Sequence, residues 1–155
     1  MHTESLEIHR ELATSVDNCF RHWMDHALLQ RWWGPKDELG RAFRAEIEAW
    51  EPAVDAPWQI TLHAPDGSRY PQGGIFTVVA PSRQLSFTAE WTDPESPSTP
   101  TRVEVRFQPY AEATLLTFVE SRFADAATRD SHRDGWEQCL DRLGEAVRRP
   151  AGDAA

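Results

Sequence analysis

The stretch that decides the fold runs from Asp125 to Pro150, DAATRDSHRDGWEQCLDRLGEAVRRP. Trp136, Cys139, Leu140, Leu143 and Val147 recur at a spacing of about 3.6 residues, with Arg129, Arg133, Glu137, Asp141 and Arg148 on the other side. The spacing predicts a long amphipathic helix ending near Pro150, because proline removes a backbone donor and cannot carry the helix on. Such a helix needs an apolar surface to lie on.

The residues before it supply that surface. From residue 41 the apolar period is two: Phe43, Ala45 and Ile47, then Trp58, Ile60 and Leu62, then Leu85, Phe87, Ala89 and Trp91, then Val103, Val105 and Phe107. Residues 74 to 80 and 113 to 121 complete six strands. Pro65-Asp66-Gly67 is a tight-turn sequence, and the prolines between Pro52 and Pro57 and between Pro94 and Pro100 interrupt any ladder. Nearer the N-terminus, Leu6, Ile8 and Leu12 alternate as a first strand. Ser15 and Asn18 then open a helix with Val16, Phe20 and Trp23, and Asp25 caps a second short helix carrying Leu28, Leu29 and Trp32 as far as Gly34-Pro35.

Consecutive strands joined by short turns pair antiparallel, and the helical stripe must bury against the apolar face of the sheet. The other face stays polar through Arg44, Glu46, Arg102, Glu104 and Arg106. The expected class is therefore α+β: a curved antiparallel sheet of about seven strands wrapped around a long C-terminal helix, with two short helices after the first strand. Residues 1–150 form one domain in this reading, and residues 151–155 a disordered tail.

At 155 residues, 40% hydrophobic and 26% charged, the chain is long enough to build one core without a disulfide or metal. A formal net charge of −9, with no basic run longer than Arg148-Arg149, argues against nucleic acid and anionic membranes as partners. No apolar run is long enough for membrane insertion. Met1 to Leu12 lack the basic start and apolar run of a signal peptide, so the expected location is cytoplasmic. In that compartment Cys19 and Cys139, with no Cys-x-x-Cys, read as buried thiols. Lys36 is the sole lysine, a bias of the kind a GC-rich bacterial genome gives.

Seven tryptophans are many for this length, and Trp32, Trp33, Trp58, Trp91 and Trp136 fall on or beside the inward faces. Aromatic stripes are usually core. A sheet curved around a helix cannot close at its wide end, however, and leaves a mouth lined by rings. The apolar candidates for that lining are Trp32, Trp33, Trp58, Ile60, Phe76, Phe87, Trp91, Phe107, Trp136 and Leu140. His63, Arg69, Tyr70, Glu90, Glu120 and His132 are the polar groups that could face it and orient a small molecule, although each alone reads as a solvated edge residue. Gly135 inside the helix costs about 1 kcal/mol against alanine, and close approach of the helix to the sheet, or else to a ligand, is the expected compensation. His22 and His26 stand at helical spacing like a metal pair. The third ligand is missing and Asp25 breaks the helix between them, so they read as surface histidines. No metal, cofactor, phosphate loop or catalytic triad is expected from the residue pattern.

Several of these pieces together resemble a known family. They are Leu28-Leu29-Gln30-Arg31-Trp32-Trp33-Gly34-Pro35, the run from Gly74-Ile75-Phe76 to Ala80-Pro81-Ser82-Arg83-Gln84-Leu85-Ser86-Phe87-Thr88, Ala113-Thr114-Leu115-Leu116-Thr117, and Gly135-Trp136 with Leu140 and Leu143. Over residues 5 to 148 the chain is similar to the domain related to the activator of the Hsp90 ATPase, within the START-like helix-grip (SRPBCC) superfamily. The resemblance implies a scaffold that carries no fixed catalytic motif and whose ligands differ, and the lining residues are what point to an apolar or aromatic small molecule. It also brings in, as alternatives, a stress-response role as co-regulator of an Hsp90-type chaperone, and a cyclase- or hydrolase-like enzyme using His63, Glu90, Glu120 or His132. Whether the chain is a monomer or a homodimer is left open. One departure is Asp55-Ala56-Pro57-Trp58, where similar proteins often carry paired glycines, which leaves the bend before the third strand unassigned.

Overall fold

The computed structural model describes residues 4–94 and 98–148. Within them the order is β1 (Glu4–Leu12), α1 (Val16–Met24), α2 (His26–Leu29), β2 (Arg44–Trp50), β3 (Pro57–His63), β4 (Arg69–Ala80), β5 (Gln84–Trp91), β6 (Thr101–Tyr110), β7 (Ala113–Phe123) and α3 (Ala126–Ala146). The strands form one antiparallel sheet in the order β1-β7-β6-β5-β4-β3-β2, so β2 to β7 are a meander and β1 returns to lie beside β7. This is the helix-grip arrangement expected from the alternating strands and the single long stripe.

Three polar side chains start the three helices. Ser15 Oγ accepts the Asn18 N–H at 3.2 Å, Asp25 Oδ1 accepts the Ala27 N–H at 2.9 Å, and Asp125 Oδ1 accepts the Thr128 N–H at 2.7 Å. The second helix is shorter than its apolar pattern suggested. After Leu29 the chain tightens into three-residue bonds, Arg31 N–H to Leu28 O and Trp32 N–H to Leu29 O, and Trp32 and Trp33 enter the interior from turns. The long helix gives way at Val147; the expected end near Pro150 and the tail 151–155 lie outside the described residues.

Two backbone features shape the sheet beyond simple alternation. The register shifts between Ile47 and Ala49, and this bulge turns Trp50 inward, where regular alternation with Ala45 would have sent it outward. The bend before β3 is made without glycine. Asp55 adopts a left-handed φ of 71°, a conformation that short polar side chains tolerate, and the bend is pinned by Asp55 N–H to Phe76 O and Phe76 N–H to Ala56 O, both 2.9 Å. The glycines the close approach requires are Gly73 and Gly74 in β4, since a Cβ on Gly74 would stand 1.9 Å from Thr88 O.

The core concentrates toward one end. The buried residues of α3 are Cys139, Leu140, Leu143 and Ala146, all in its C-terminal half, while Thr128, Ser131, His132, Gly135 and Trp136 stay partly or fully exposed. Beside the packed half, Trp23 meets Trp32 with ring centres 4.4 Å apart, and Trp50 meets Phe76 at 4.9 Å and Trp33 at 5.2 Å. His22 belongs to this end. It is buried, not a surface residue, because α1 turns it under the molecule; its Nδ1–H donates to Asn18 O at 2.8 Å.

Candidate functional site

The N-terminal half of α3 buries no residue completely, and a cavity of about 530 Å³ opens between it and the sheet. Trp33, Trp58, Phe87, Trp91 and Trp136 stand on its wall, together with Phe43, Tyr70 and Phe123. Three of these rings are held from behind. The Trp33 indole N–H donates to Gln72 Oε1 at 2.9 Å and the Trp58 indole N–H to Thr88 O at 2.8 Å, and Trp136 leans on Phe118 with ring centres 4.4 Å apart. Arg142 fixes the turn that carries Trp33, donating to Gly34 O at 2.6 Å and Arg31 O at 3.1 Å. These contacts leave the rings few rotamers, so the wall is preorganised.

One wall position carries a buried charge. Along β7, Leu116, Phe118 and Glu120 alternate inward, and Glu120 is 1% exposed where the pattern calls for another apolar residue. Its carboxylate accepts the Thr101 hydroxyl at 2.6 Å, and His132 Nδ1 lies 3.2 Å from Oε2 and 3.3 Å from Oε1. A buried carboxylate needs such partners, because burial without them costs several kcal/mol. Three residues on, Phe123 also points inward, out of phase with Glu120; Arg122 between them takes a left-handed φ of 71°, which lets both face the cavity. Edge-to-face packing of Phe123 on the imidazole, centres 5.0 Å apart, fixes the plane of His132.

The candidates from sequence divide cleanly. Trp33, Trp58, Tyr70, Phe87, Trp91, His132 and Trp136 meet on the cavity wall, with Glu90 and Glu120. Trp32, Ile60, Phe76, Phe107 and Leu140 lie in the packed core, off the wall; Phe107, for instance, packs edge-on against Phe20 at 5.3 Å. His63 sits outside as well, with Nε2 2.7 Å from Glu46 Oε1, and Arg69 is exposed. Gly135 does not serve close packing. A Cβ built there meets nothing within 4 Å, and the glycine lies on the cavity wall, so what it provides is space.

Sequence reasoning missed Gln72, Thr101, Phe123 and Cys139 on the wall and Trp50 behind it. Thr101 was legible, since it precedes Val103, Val105 and Phe107 in the same inward phase; Phe123 and Trp50 depend on bulges that alternation does not show. The Cys139 thiol accepts the Gly34 N–H at 3.3 Å, and burial pushes it up to about 12, which keeps it protonated and unreactive. His22 and His26 do not form a metal pair: His26 donates to Trp50 O, and among the described residues no group of three His, Cys, Asp or Glu side chains could hold an ion.

No helix of the described residues is long and apolar enough to cross a membrane. Solved structures share the fold. A Chromobacterium violaceum protein superposes with a TM-score of 0.83 at 20% identity, covering 94% of this chain and 98% of that one. An Arthrobacter aurescens protein gives 0.81 at 21% identity, covering 97% and 93%. The AHSA1 protein of Silicibacter pomeroyi gives 0.79 at 24% identity, covering 93% and 97%. No curated protein matches the chain. Residues 13–148, from the end of β1 through α3, match the family described as Activator of Hsp90 ATPase homolog 1-like protein, and the chain belongs to that family.

Proposed function

We propose that the chain binds an uncharged apolar or aromatic small molecule in the cavity between α3 and the sheet. The observation that carries this is the cavity itself, about 530 Å³ with eight aromatic side chains on its wall, beside the half of α3 that buries no residue completely. That volume is in the range of small-molecule sites, and burying about 300 Å² of apolar ligand is worth about 7 kcal/mol before ordering costs. Affinities in the micromolar range follow once those costs are met. Charge argues for a neutral ligand: among the described residues the wall carries Glu90, Glu120 and Asp125 and no lysine or arginine, so a ligand carboxylate would be desolvated beside like charge.

Titration of intrinsic tryptophan fluorescence tests the reading. Neutral flavonoids and naphthalene dyes are expected to give saturable micromolar curves, and fatty-acid carboxylates much weaker ones. Gly135→Phe, which fills the cavity from the helix side, should remove the signal while leaving the fold intact. Linear, non-saturating quenching by every probe would sink the proposal. The rival role, co-regulation of an Hsp90-type chaperone, draws on the family's name alone; it would gain if the Gly135→Phe protein still accelerated such an ATPase.

A further inference from the structure

Glu120 and His132 stand together on the cavity wall, and the geometry of the pair suits proton transfer. An ionised carboxylate only accepts hydrogen bonds, so the Nδ1 of a neutral His132 facing it carries the proton and Nε2 is left with its lone pair. Among the described residues no hydrogen bond to Nε2 stands beside those of Nδ1, and it is not one of the buried unsatisfied atoms, so Nε2 keeps solvent access on a residue that lines the cavity. Glu120, 1% exposed and anchored by the Thr101 hydroxyl at 2.6 Å, cannot swing away, and Phe123 holds the ring plane. A base oriented by a buried carboxylate on the wall of an aromatic-lined cavity is the arrangement that general-base catalysis uses.

Resting on the small-molecule reading above, we infer that His132 is a general base and Glu120 its positioning residue, and that the cavity takes aromatic or apolar carbon acids, molecules with a C–H bond activated by an adjacent electron-withdrawing group. In the step, the Nε2 lone pair takes the proton of that C–H bond. The electron pair left on carbon moves into the activating group, the imidazolium is stabilised by the Glu120 carboxylate, and the proton passes on to product or water, which restores the neutral ring. Proton uptake takes the pair from one negative charge to none while the substrate anion gains one, so total charge is conserved, and no oxidant or metal enters.

Nitrobenzisoxazole is a suitable probe, being neutral, flat, aromatic and small enough for the cavity. Loss of its ring C–H proton turns the C=N bond into a nitrile and breaks the N–O bond, and the released pair stays on oxygen as a coloured cyanonitrophenolate. The wild-type protein should turn it over with saturation kinetics above the rate in buffer. His132→Ala should lower kcat by about 100-fold, the usual contribution of a general base. Glu120→Gln, which keeps the shape and the acceptor oxygen, should lower kcat by about tenfold or more with KM within about twofold, a split that a purely structural role would not give. Thermal melts of both variants report whether the fold survives. His132→Asn is the second substitution, should alanine loosen the contact with Phe123. Binding is followed separately by tryptophan quenching. Saturable binding with a rate that equals buffer, or that survives the loss of His132, overturns this inference and leaves the binding reading standing. Failure of this probe to bind while the flavonoids or dyes still give saturable curves overturns this inference alone, and failure of every probe overturns both.

Discussion

The two halves of α3 make opposite use of the same helix. From Cys139 to Val147 it is gripped, with Leu140 and Leu143 fully buried and Gly144 close enough to β1 that a Cβ there would lie 3.6 Å from Leu12 Cδ2. From Thr128 to Trp136 it forms one wall of a cavity and buries no residue completely. The difference shows that in a helix-grip fold stability and binding can be separated along one element. The packed half holds the helix in place, so the open half can leave room for a ligand.

Substitutions in the two halves should therefore behave differently, and the largest difference is expected at Leu143. Leu143→Ala removes a fully buried side chain and should cost about 3 kcal/mol in denaturant unfolding, with little change in probe affinity per folded molecule. A loss under about 1 kcal/mol would mean that the gripped half is not what anchors the helix. On the open side, Trp91→Phe should cost about 1 kcal/mol of stability, since the indole is only partly buried, while weakening a neutral aromatic ligand by about tenfold. Smaller still, Gly135→Ala should raise stability by up to about 1 kcal/mol, because the new methyl group meets nothing and glycine is a poor helix former. A destabilised Gly135→Ala protein would show that the helix does approach the sheet there, and the comparison would fail.

How much of this was legible in the sequence follows the same division. The gripped half announced itself through the helical stripe from Cys139 to Val147, and the strands through alternation, because packing against a continuous core enforces a strict period. The open half was legible only in part. Trp91, His132 and Trp136 could be placed near a mouth, and Glu120 could be read as an acid on an inward phase. Trp50 and Phe123 could not, since each faces inward only through an irregularity in its strand, one of them at Arg122. His22 was misread because its burial comes from α1 being folded against the rest of the molecule, and its local pattern with Asp25 carries no sign of that contact.

The same contrast predicts two small acid responses in separate ranges. At the packed end, burial holds His22 below its ordinary value of 6.5, because the interior penalises the charged ring. The unfolded chain then binds that proton more readily, so the contribution to stability is complete above pH 6.5 and declines as the pH falls below it. Comparing melting temperatures of wild type and His22→Gln through that range should show the shallower slope in the variant; parallel curves would mean the ring is not buried neutral. At the open end, the Thr128 N–H holds the Asp125 carboxyl below 3.8, so its support of α3 is present above that value and fades as the pH falls through the folded one. Asp125→Ala should erase this more acidic component and leave the His22 response unchanged, as measured by helical circular dichroism.

A helix gripped at one end and bordered by a void at the other should also open unevenly. Backbone amides from Leu140 to Ala146 sit over the core and should exchange with deuterium only when the whole chain unfolds, whereas those near Ser131 and Gly135 can exchange through local fraying from the Asp125 end. The protection profile along α3 would then be a ramp, and a molecule lodged against Trp136 and His132 should flatten it by slowing exchange at the low end. Measured amide by amide, the helix becomes a gauge of whether its own cavity is filled.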